Sequence, residues 1–184
     1  MIEVRALERL SMADLRRIAH GYSSDAKYVV VLTETEESAS IKLRLVALGE
    51  PYVKKFDPDA ETLRRYVRVL KQGFSFGAYE GELLVGLLIA EAERWNRSLR
   101  VSEFHVAETH RGMGIGRRLM ERAAEQAVRA GLRIIVCETQ NTNPTAVEVY
   151  RRLGFGIEGV DISFYSNADY PDGEIAIFMK RRLP

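Results

Sequence analysis

The sequence predicts a mixed α/β fold, in which helices cover the faces of a central sheet. Two observations carry this prediction. Three strand-like runs joined by short turns occupy residues 74–108, and a strand between two helices follows within 114–154. A three-strand meander that feeds such a unit favours a mixed sheet of about six to seven strands with about four helices.

The first elements of the chain are short. A strand is predicted over Ile2–Ala6 and a helix over 12–21, with Ser11 as its N-cap. Two strand-like segments lie within 27–48 on either side of a polar turn. Apolar residues at helical spacing within 58–73 then predict a second helix.

The remainder of the chain consists of three strands followed by alternating helices and strands. Turns around Gly81 and Asn96 separate the three strands. A long amphipathic helix follows and ends at Gly131. In chain order, strands are predicted at 74–81, 82–95, 98–108, 133–140, 155–165 and 174–183, and helices at 114–131 and 143–154.

The composition is that of a balanced globular domain. The 184 residues include 27 Lys and Arg against 26 Asp and Glu, a net charge of +1, so neither a nucleic-acid face nor a membrane anchor is expected. The length predicts one domain over residues 1–184. The single cysteine, Cys137, excludes a disulfide framework and favours a cytoplasmic location, and no leader segment is expected. Because His20, His105 and His110 lack metal-ligand spacing, no metal site is expected.

A glycine-rich loop lies between a predicted strand and the long helix. Gly112, Gly114 and Gly116 let the backbone turn sharply and bring N–H groups close to a ligand. These amides and the positive end of the helix favour a phosphate or pyrophosphate. Cations at a helix start are unfavourable without a bound anion, and three stand there: Arg111, Arg117 and Arg118.

The spacing of this loop excludes two common nucleotide motifs. Its G-x-G-x-G pattern differs from the dinucleotide fingerprint, and it lacks the Gly-Lys-Ser/Thr of a P-loop. A nucleotide-diphosphate ligand without a nicotinamide site remains. The simpler alternative is a glycine turn with solvated arginines.

Two motifs resemble those of the GNAT family of N-acetyltransferases. Arg111-x-x-Gly114-x-Gly116, preceded by Phe104-x-Val106, is similar to the family's acetyl-CoA signature. Asn143-x-x-Ala146-x-x-x-Tyr150-x-x-x-Gly154-Phe155 is similar to its second motif. The resemblance implies the GNAT fold, acetyl-CoA as co-substrate and N-acetyltransferase activity. Residues 74–184 would form the acetyl-CoA-binding and catalytic part, and residues 1–72 a variable part.

Shorter strings resemble streptothricin acetyltransferases in particular. They are Pro51-Tyr52-Val53-Lys54, Trp95-Asn96-Arg97, Glu138-Thr139-Gln140 and Phe155-x-Ile157-x-Gly159-Val160-Asp161. This resemblance implies that the acceptor is a primary amine of a small cationic molecule, with an antibiotic of the streptothricin type as one candidate. A protein N-terminus or lysine as acceptor, and an acyl-CoA-binding module without turnover, are the alternatives. Family members are often dimers, which makes a homodimer an additional expectation.

The GNAT resemblance also implies which residues hold acetyl-CoA. The backbone of Phe104, His105 and Val106 would pair with the pantetheine arm, and an N–H near Val106 would polarise the acetyl carbonyl. Asn143 would contact the same arm, and its position also suits an N-cap. The full implied set is Phe104, His105, Val106, Arg111, Gly112, Met113, Gly114, Ile115, Gly116, Arg117, Asn143 and Tyr150.

Proton transfer is assigned to Tyr150 and to a carboxylate. In the family, the tyrosine at this position approaches the cofactor sulfur, and a phenol with a pKa near ~10 can donate its proton at neutral pH. On spacing alone, Tyr150 also suits the core. Glu138 matches the position of a base in some family members and is the first choice, with Glu103 as a competing base or a substrate-binding residue. Either carboxylate could instead only bind the cationic acceptor.

Overall fold

Strands and helices follow one another in the predicted order in the computed structural model, which describes residues 1–184. The strands are β1 (Ile2–Ala6), β2 (Gly21–Glu34), β3 (Ala39–Lys55), β4 (Phe76–Glu80), β5 (Leu83–Glu93), β6 (Ser98–Val106), β7 (Ile134–Gln140), β8 (Gly156–Asp161) and β9 (Ala176–Arg182). The helices are α1 (Met12–Ile18), α2 (Ala60–Leu70), α3 (Ile115–Arg129) and α4 (Pro144–Arg152).

Seven of the strands form one mixed sheet in the order β1-β4-β5-β6-β7-β9-β8. Strands β6 and β7 are parallel, whereas β1–β4, β4–β5, β5–β6 and β8–β9 are antiparallel. This sheet and the four α-helices confirm the predicted mixed α/β fold class.

Strand β5 is apolar along most of its length because helices cover both of its faces. On one face, Leu87 and Ile89 belong to a buried cluster with residues of α1 and α2. On the other face, a Cβ atom at Gly86 would lie 3.2–3.3 Å from Ile115 and Leu119 of α3. The glycine therefore lets α3 approach the sheet closely.

The two strand-like segments predicted within 27–48 form a separate two-stranded sheet, β2–β3. The strands are longer than predicted, with 14 and 17 residues. Several large apolar side chains of this sheet are exposed, among them Val31, Ile41, Leu45 and Val53.

Two elements end earlier than predicted. Helix α1 ends at Ile18 rather than near residue 21, because Ala19 is extended and Gly21 already begins β2 with φ of +92°. Strand β8 ends at Asp161 rather than at residue 165, because the Asp161 side chain accepts a hydrogen bond from the amide of Ser163 and turns the chain.

Residue contacts divide the chain into two compact units. The first unit comprises Met1–His20, Lys55–Cys137 and Arg181–Pro184, and the second comprises Gly21–Lys54 and Glu138–Lys180. The expectation of one domain over 1–184 stays a prediction. None of the helices is both long and apolar enough to cross a membrane.

Candidate functional site

The glycine-rich loop of the first unit follows β6. A short 3₁₀ turn over Glu108–His110 leads into it, and Gly112 and Gly114 then adopt left-handed backbone angles, with φ of +78° and +75°. A Cβ atom at either glycine would meet no other heavy atom within 4 Å. The requirement for glycine at these two positions is therefore conformational rather than steric.

The N-terminus of α3 presents main-chain amides without a side-chain cap. Gly114 is the N-cap residue, no side chain accepts a hydrogen bond from the first turn, and that turn contains no acidic residue. Unpaired amides and the positive end of a 15-residue helix form a site for an anion. The loop therefore fits a phosphate or pyrophosphate group.

The three arginines near this helix start differ in their contacts. The exposed guanidinium of Arg111 lies 3.6 Å from Glu108, and its Nε lies 3.4 Å from the carbonyl oxygen of Val106. Arg117 is exposed. Arg118 instead donates to the carbonyl oxygen of Ile2 at 3.0 Å, which tethers α3 to β1. Of the three arginines, Arg118 is thus the one whose guanidinium is hydrogen-bonded to the main chain of β1.

Strand β6 changes its pairing halfway along. Its ladder with β7 covers Ser98 to Val101 only, whereas its ladder with β5 continues to Val106. A register shift in the β5 ladder lies between Glu103 and Val101. The segment 102–106 therefore has a ladder partner on one side only, as expected for a strand that could pair with an extended ligand.

The side chains of this segment alternate between two environments. The ring of Phe104 packs against Gly116 of α3, where a Cβ atom would lie 3.1 Å from Cζ. Glu103 and His105 share the opposite face, and His105 Nε2 lies 2.6 Å from Glu103 Oε2. The hydroxyl of Tyr66 in α2 donates to Glu103 Oε1. Burial, followed by the charge of Glu103, raises the pKa of Tyr66, so this hydroxyl stays protonated.

In the second unit, Glu138 accepts a hydrogen bond from a tyrosine that the sequence did not single out. The hydroxyl of Tyr165 donates to Glu138 Oε1. Gln140 Nε2 lies 3.0 Å from the Tyr165 hydroxyl and 3.4 Å from Glu138 Oε1. Burial and the hydrogen bond to Glu138 raise the pKa of Tyr165. Glu138 is therefore held as a hydrogen-bonded carboxylate.

A second carboxylate of this unit, Glu174, has four side-chain partners. Lys54 lies 2.5 Å from Oε2, and the hydroxyls of Tyr52, Thr142 and Tyr22 lie 3.0, 3.2 and 3.4 Å from Oε1. Tyr52 and Lys54 belong to one of the strings that resemble streptothricin acetyltransferases, and no role was predicted for either residue. Their spacing of two residues, which places both side chains on one face of a strand, was the available signal.

Helix α4 carries the two remaining predicted residues. Asn143 is its N-cap, and Oδ1 accepts a hydrogen bond from the amide of Ala146 at 3.1 Å. Tyr150 is 8% exposed, with its ring centroid 5.6 Å from that of Phe155. Asn143 thus caps α4 and Tyr150 lies in the core, the structural role that the sequence suggested for each. Their contacts with acetyl-CoA, which the resemblance implies, stay predictions.

The connection between β8 and β9 is anchored by Asp169, which is 4% exposed. Its carboxylate accepts hydrogen bonds from the amide of Tyr165 at 2.7 Å and from the hydroxyl of Ser166 at 2.6 Å. Burial acts to raise the pKa of Asp169, but the hydrogen bonds from Ser166 and from the amides of Tyr165 and Ser166 lower it overall. Asp169 thus fixes the backbone that carries the Tyr165 hydroxyl.

We expect Asp169→Asn to lower the free energy of unfolding more at pH 7 than at pH 3. A carboxyl whose pKa is lowered by folding stabilises the protein above its unfolded-state pKa, near ~3.9, and this contribution is lost as the pH falls through the folded-state pKa. Urea unfolding at both pH values measures it, with exposed Asp172→Asn as the control. An equal loss at both pH values would contradict a stabilising role of the charge.

Comparison with known proteins gives one consistent result. The acetyltransferase (GNAT) family matches residues 42–155, more than half of the chain. Streptothricin acetyltransferase of Streptomyces lavendulae is 37% identical over 101 residues, which cover 55% of this chain and 53% of that protein. Streptothricin acetyltransferase A of Bacillus subtilis (strain 168) is 30% identical over 149 residues, which cover 80% of this chain and 78% of that protein.

Among solved structures, the crystal structure of nourseothricin acetyltransferase superposes with a TM-score of 0.73 at 30% identity, and the match covers 100% of this chain and 99% of that one. The matched segment spans about half the length of the Streptomyces relative, at 53%. The sequence resemblance to the GNAT family and to streptothricin acetyltransferases is therefore confirmed.

Proposed function

We propose that this chain, which belongs to the acetyltransferase (GNAT) family, transfers the acetyl group of acetyl-CoA to a primary amine of a small cationic molecule. The observation that carries the proposal is the left-handed glycine loop at the uncapped start of α3, directly after a strand whose ladder with β7 ends at Val101. The loop suits the pyrophosphate of acetyl-CoA, and the strand suits its pantetheine arm.

The loop would bind the pyrophosphate through main-chain N–H groups of residues 112–117. The exposed guanidinium of Arg111, and that of Arg117, would add positive charge. The main chain of Phe104, His105 and Val106 would pair with the pantetheine arm, and an N–H near Val106 would polarise the acetyl carbonyl as negative charge develops on its oxygen. Asn143 would contribute to the same binding while it caps α4.

Two residues of the second unit are assigned to proton transfer. Tyr150 would donate its proton to the departing thiolate, since a phenol is protonated at neutral pH. Glu138 would accept a proton from the attacking nitrogen, held in place by the Tyr165 hydroxyl. Glu103, whose carboxylate contacts Tyr66 and His105, would bind the cationic acceptor.

A cationic antibiotic of the streptothricin type is the proposed acceptor. The support is that two relatives, which are 37% and 30% identical to this chain, are streptothricin acetyltransferases. Modification of such a compound on its amine would remove a positive charge. We place this activity in the cytoplasm, and self-association into a homodimer stays a prediction.

A panel assay tests the proposal. Purified protein is incubated with acetyl-CoA and, in turn, a streptothricin, simple alkyl diamines and a peptide with a free N-terminus, and release of the CoA thiol is measured. The proposal expects rapid release with the small amines and little with the peptide. Preferred turnover of the peptide would favour a protein acetyltransferase. Acetyl-CoA binding without release for every amine would favour a binding module.

A further inference from the structure

The carboxylate of Glu103 lies between two hydrogen-bond donors of the first unit. Tyr66 donates to Oε1, and His105 Nε2 lies 2.6 Å from Oε2. The Glu103 side chain is 12% exposed, whereas that of His105 is 29% exposed. The three side chains therefore run from a buried tyrosine through a nearly buried carboxylate to an imidazole that solvent can reach.

This arrangement fixes the tautomer of the neutral imidazole ring. An ionised carboxylate only accepts hydrogen bonds, so Nε2 of His105 carries the proton that it shares with Glu103. Nδ1 is then the basic nitrogen, and it has no hydrogen-bond partner within the chain. A neutral imidazole held in this way, with a carboxylate behind it, is suited to accept a proton at Nδ1.

The surroundings of this group contain few other charges. On β5, the residues paired with Glu103 and His105 are the apolar Ile89 and Leu87. From α2, Tyr66 faces Glu103, and the guanidinium of Arg65 lies 3.4 Å from the Tyr66 hydroxyl. The ring of Phe56 lies 6.0 Å from the imidazole ring. The carboxylate of Glu103 is thus the anion in hydrogen-bond contact with the His105 ring.

The proton balance of the overall reaction concerns two protons on the acceptor nitrogen. An ammonium acceptor and acetyl-CoA give an amide, free CoA thiol and one proton. Two protons therefore leave the nitrogen, one before it attacks the thioester and one afterwards. One of them ends in solvent, and the other balances the proton that the thiolate receives.

We propose that His105 takes the first of these protons at Nδ1, with Glu103 and Tyr66 as positioning residues. The inference rests on the proposed function and deepens it. His105 passes the proton to solvent, which its 29% exposure permits. The N–H bond of the ammonium breaks, and an N–H bond forms at Nδ1. The electron pair left on the amine forms the C–N bond to the acetyl carbon, the C–S bond breaks, and the CoA thiolate leaves. Glu138 takes the second proton from the nitrogen. This proton balances the one that Tyr150 gives to the thiolate.

A pair of acceptors separates this role from a structural one. The first is a primary alkyl amine that is protonated at pH 7.5, and the second is its fluorinated analogue, which is neutral at that pH. We expect His105→Gln to lower kcat by about 100-fold with the protonated amine and by no more than about threefold with the neutral one. The KM for acetyl-CoA should stay within about twofold.

Three further variants test the neighbouring residues with the same pair of amines. Tyr66→Phe retains the ring and should lower kcat about tenfold with the protonated amine only, because it removes one hydrogen bond to a charged group. Glu138→Gln should lower kcat with both amines, since the second proton leaves in either case. His20→Gln, at an exposed histidine of the same unit, should change neither.

Three outcomes would overturn the assignment. An equal loss with both amines in His105→Gln would reduce the residue to a structural role. An unchanged kcat with both would remove it from the reaction. Turnover of neither amine by the wild-type protein, nor of any amine of the panel, would overturn the proposed function as well, whereas the first two outcomes leave that function intact.

Discussion

Gly114→Asp should weaken the binding of acetyl-CoA by about 100-fold, because about 2–3 kcal/mol of charge-assisted hydrogen bonding to the pyrophosphate would be lost. Gly114 is the N-cap of α3 with φ of +75°, and no side chain caps the first turn of the helix. A carboxylate there would occupy the anion site with the same charge as the ligand. Isothermal titration with acetyl-CoA measures the loss.

Two matched variants isolate the cause of this effect. Gly131 follows the same helix with φ of +72°, and a Cβ atom there also meets nothing within 4 Å. Gly131→Asp therefore imposes comparable backbone strain away from the loop and should leave the affinity unchanged. Gly114→Asn has the same size without the charge and tolerates left-handed angles, so its loss should be about tenfold smaller. Wild-type affinity in Gly114→Asp would contradict the loop assignment.

Tyr150→Phe should lower kcat by about 100-fold, the contribution typical of a positioned general acid. The hydroxyl is the proposed proton donor to the thiolate, whereas the ring belongs to the core beside Phe155. Phenylalanine preserves this packing, so the affinity for acetyl-CoA should stay within about twofold. Initial rates of thiol release and titration with acetyl-CoA measure the two quantities separately.

The control for this variant is Tyr28→Phe, in the same unit. The Tyr28 hydroxyl lies 3.4 Å from Arg151 and has no proposed role in the reaction. It should show wild-type kinetics. A wild-type kcat in Tyr150→Phe would return Tyr150 to a purely structural role on the face of α4.

The order of the elements could be predicted because each depends on local signals. The helical spacing of apolar residues between Asp59 and Gly73 predicted α2, and the glycine spacing around Gly114 predicted the turn into α3. The ends of α1 and β8 were missed, since side-chain hydrogen bonds and the extended angles of Ala19 decided them.

The hydrogen-bonded clusters could not be predicted, because their members are far apart in the chain. Tyr66 and Glu103 are separated by 37 positions, and Tyr165 and Glu138 by 27. The sequence identified the two carboxylates, since each lies on a strand that a motif marks. Tyr66 lies within the helical spacing that predicted α2, but such spacing reports which face is buried and not what a hydroxyl on that face contacts.

Transfer of a labelled acetyl group tests the proposed N-acetyltransferase activity most directly. Acetyl-CoA labelled in the acetyl group is incubated with the protein and a streptothricin-type amine, and the amine and CoA are then separated and analysed by mass spectrometry. We expect the label to appear in an amide of the acceptor, with one free CoA thiol for each acetyl group transferred. Label that remains in the thioester, under conditions in which acetyl-CoA binds, would contradict the proposed activity.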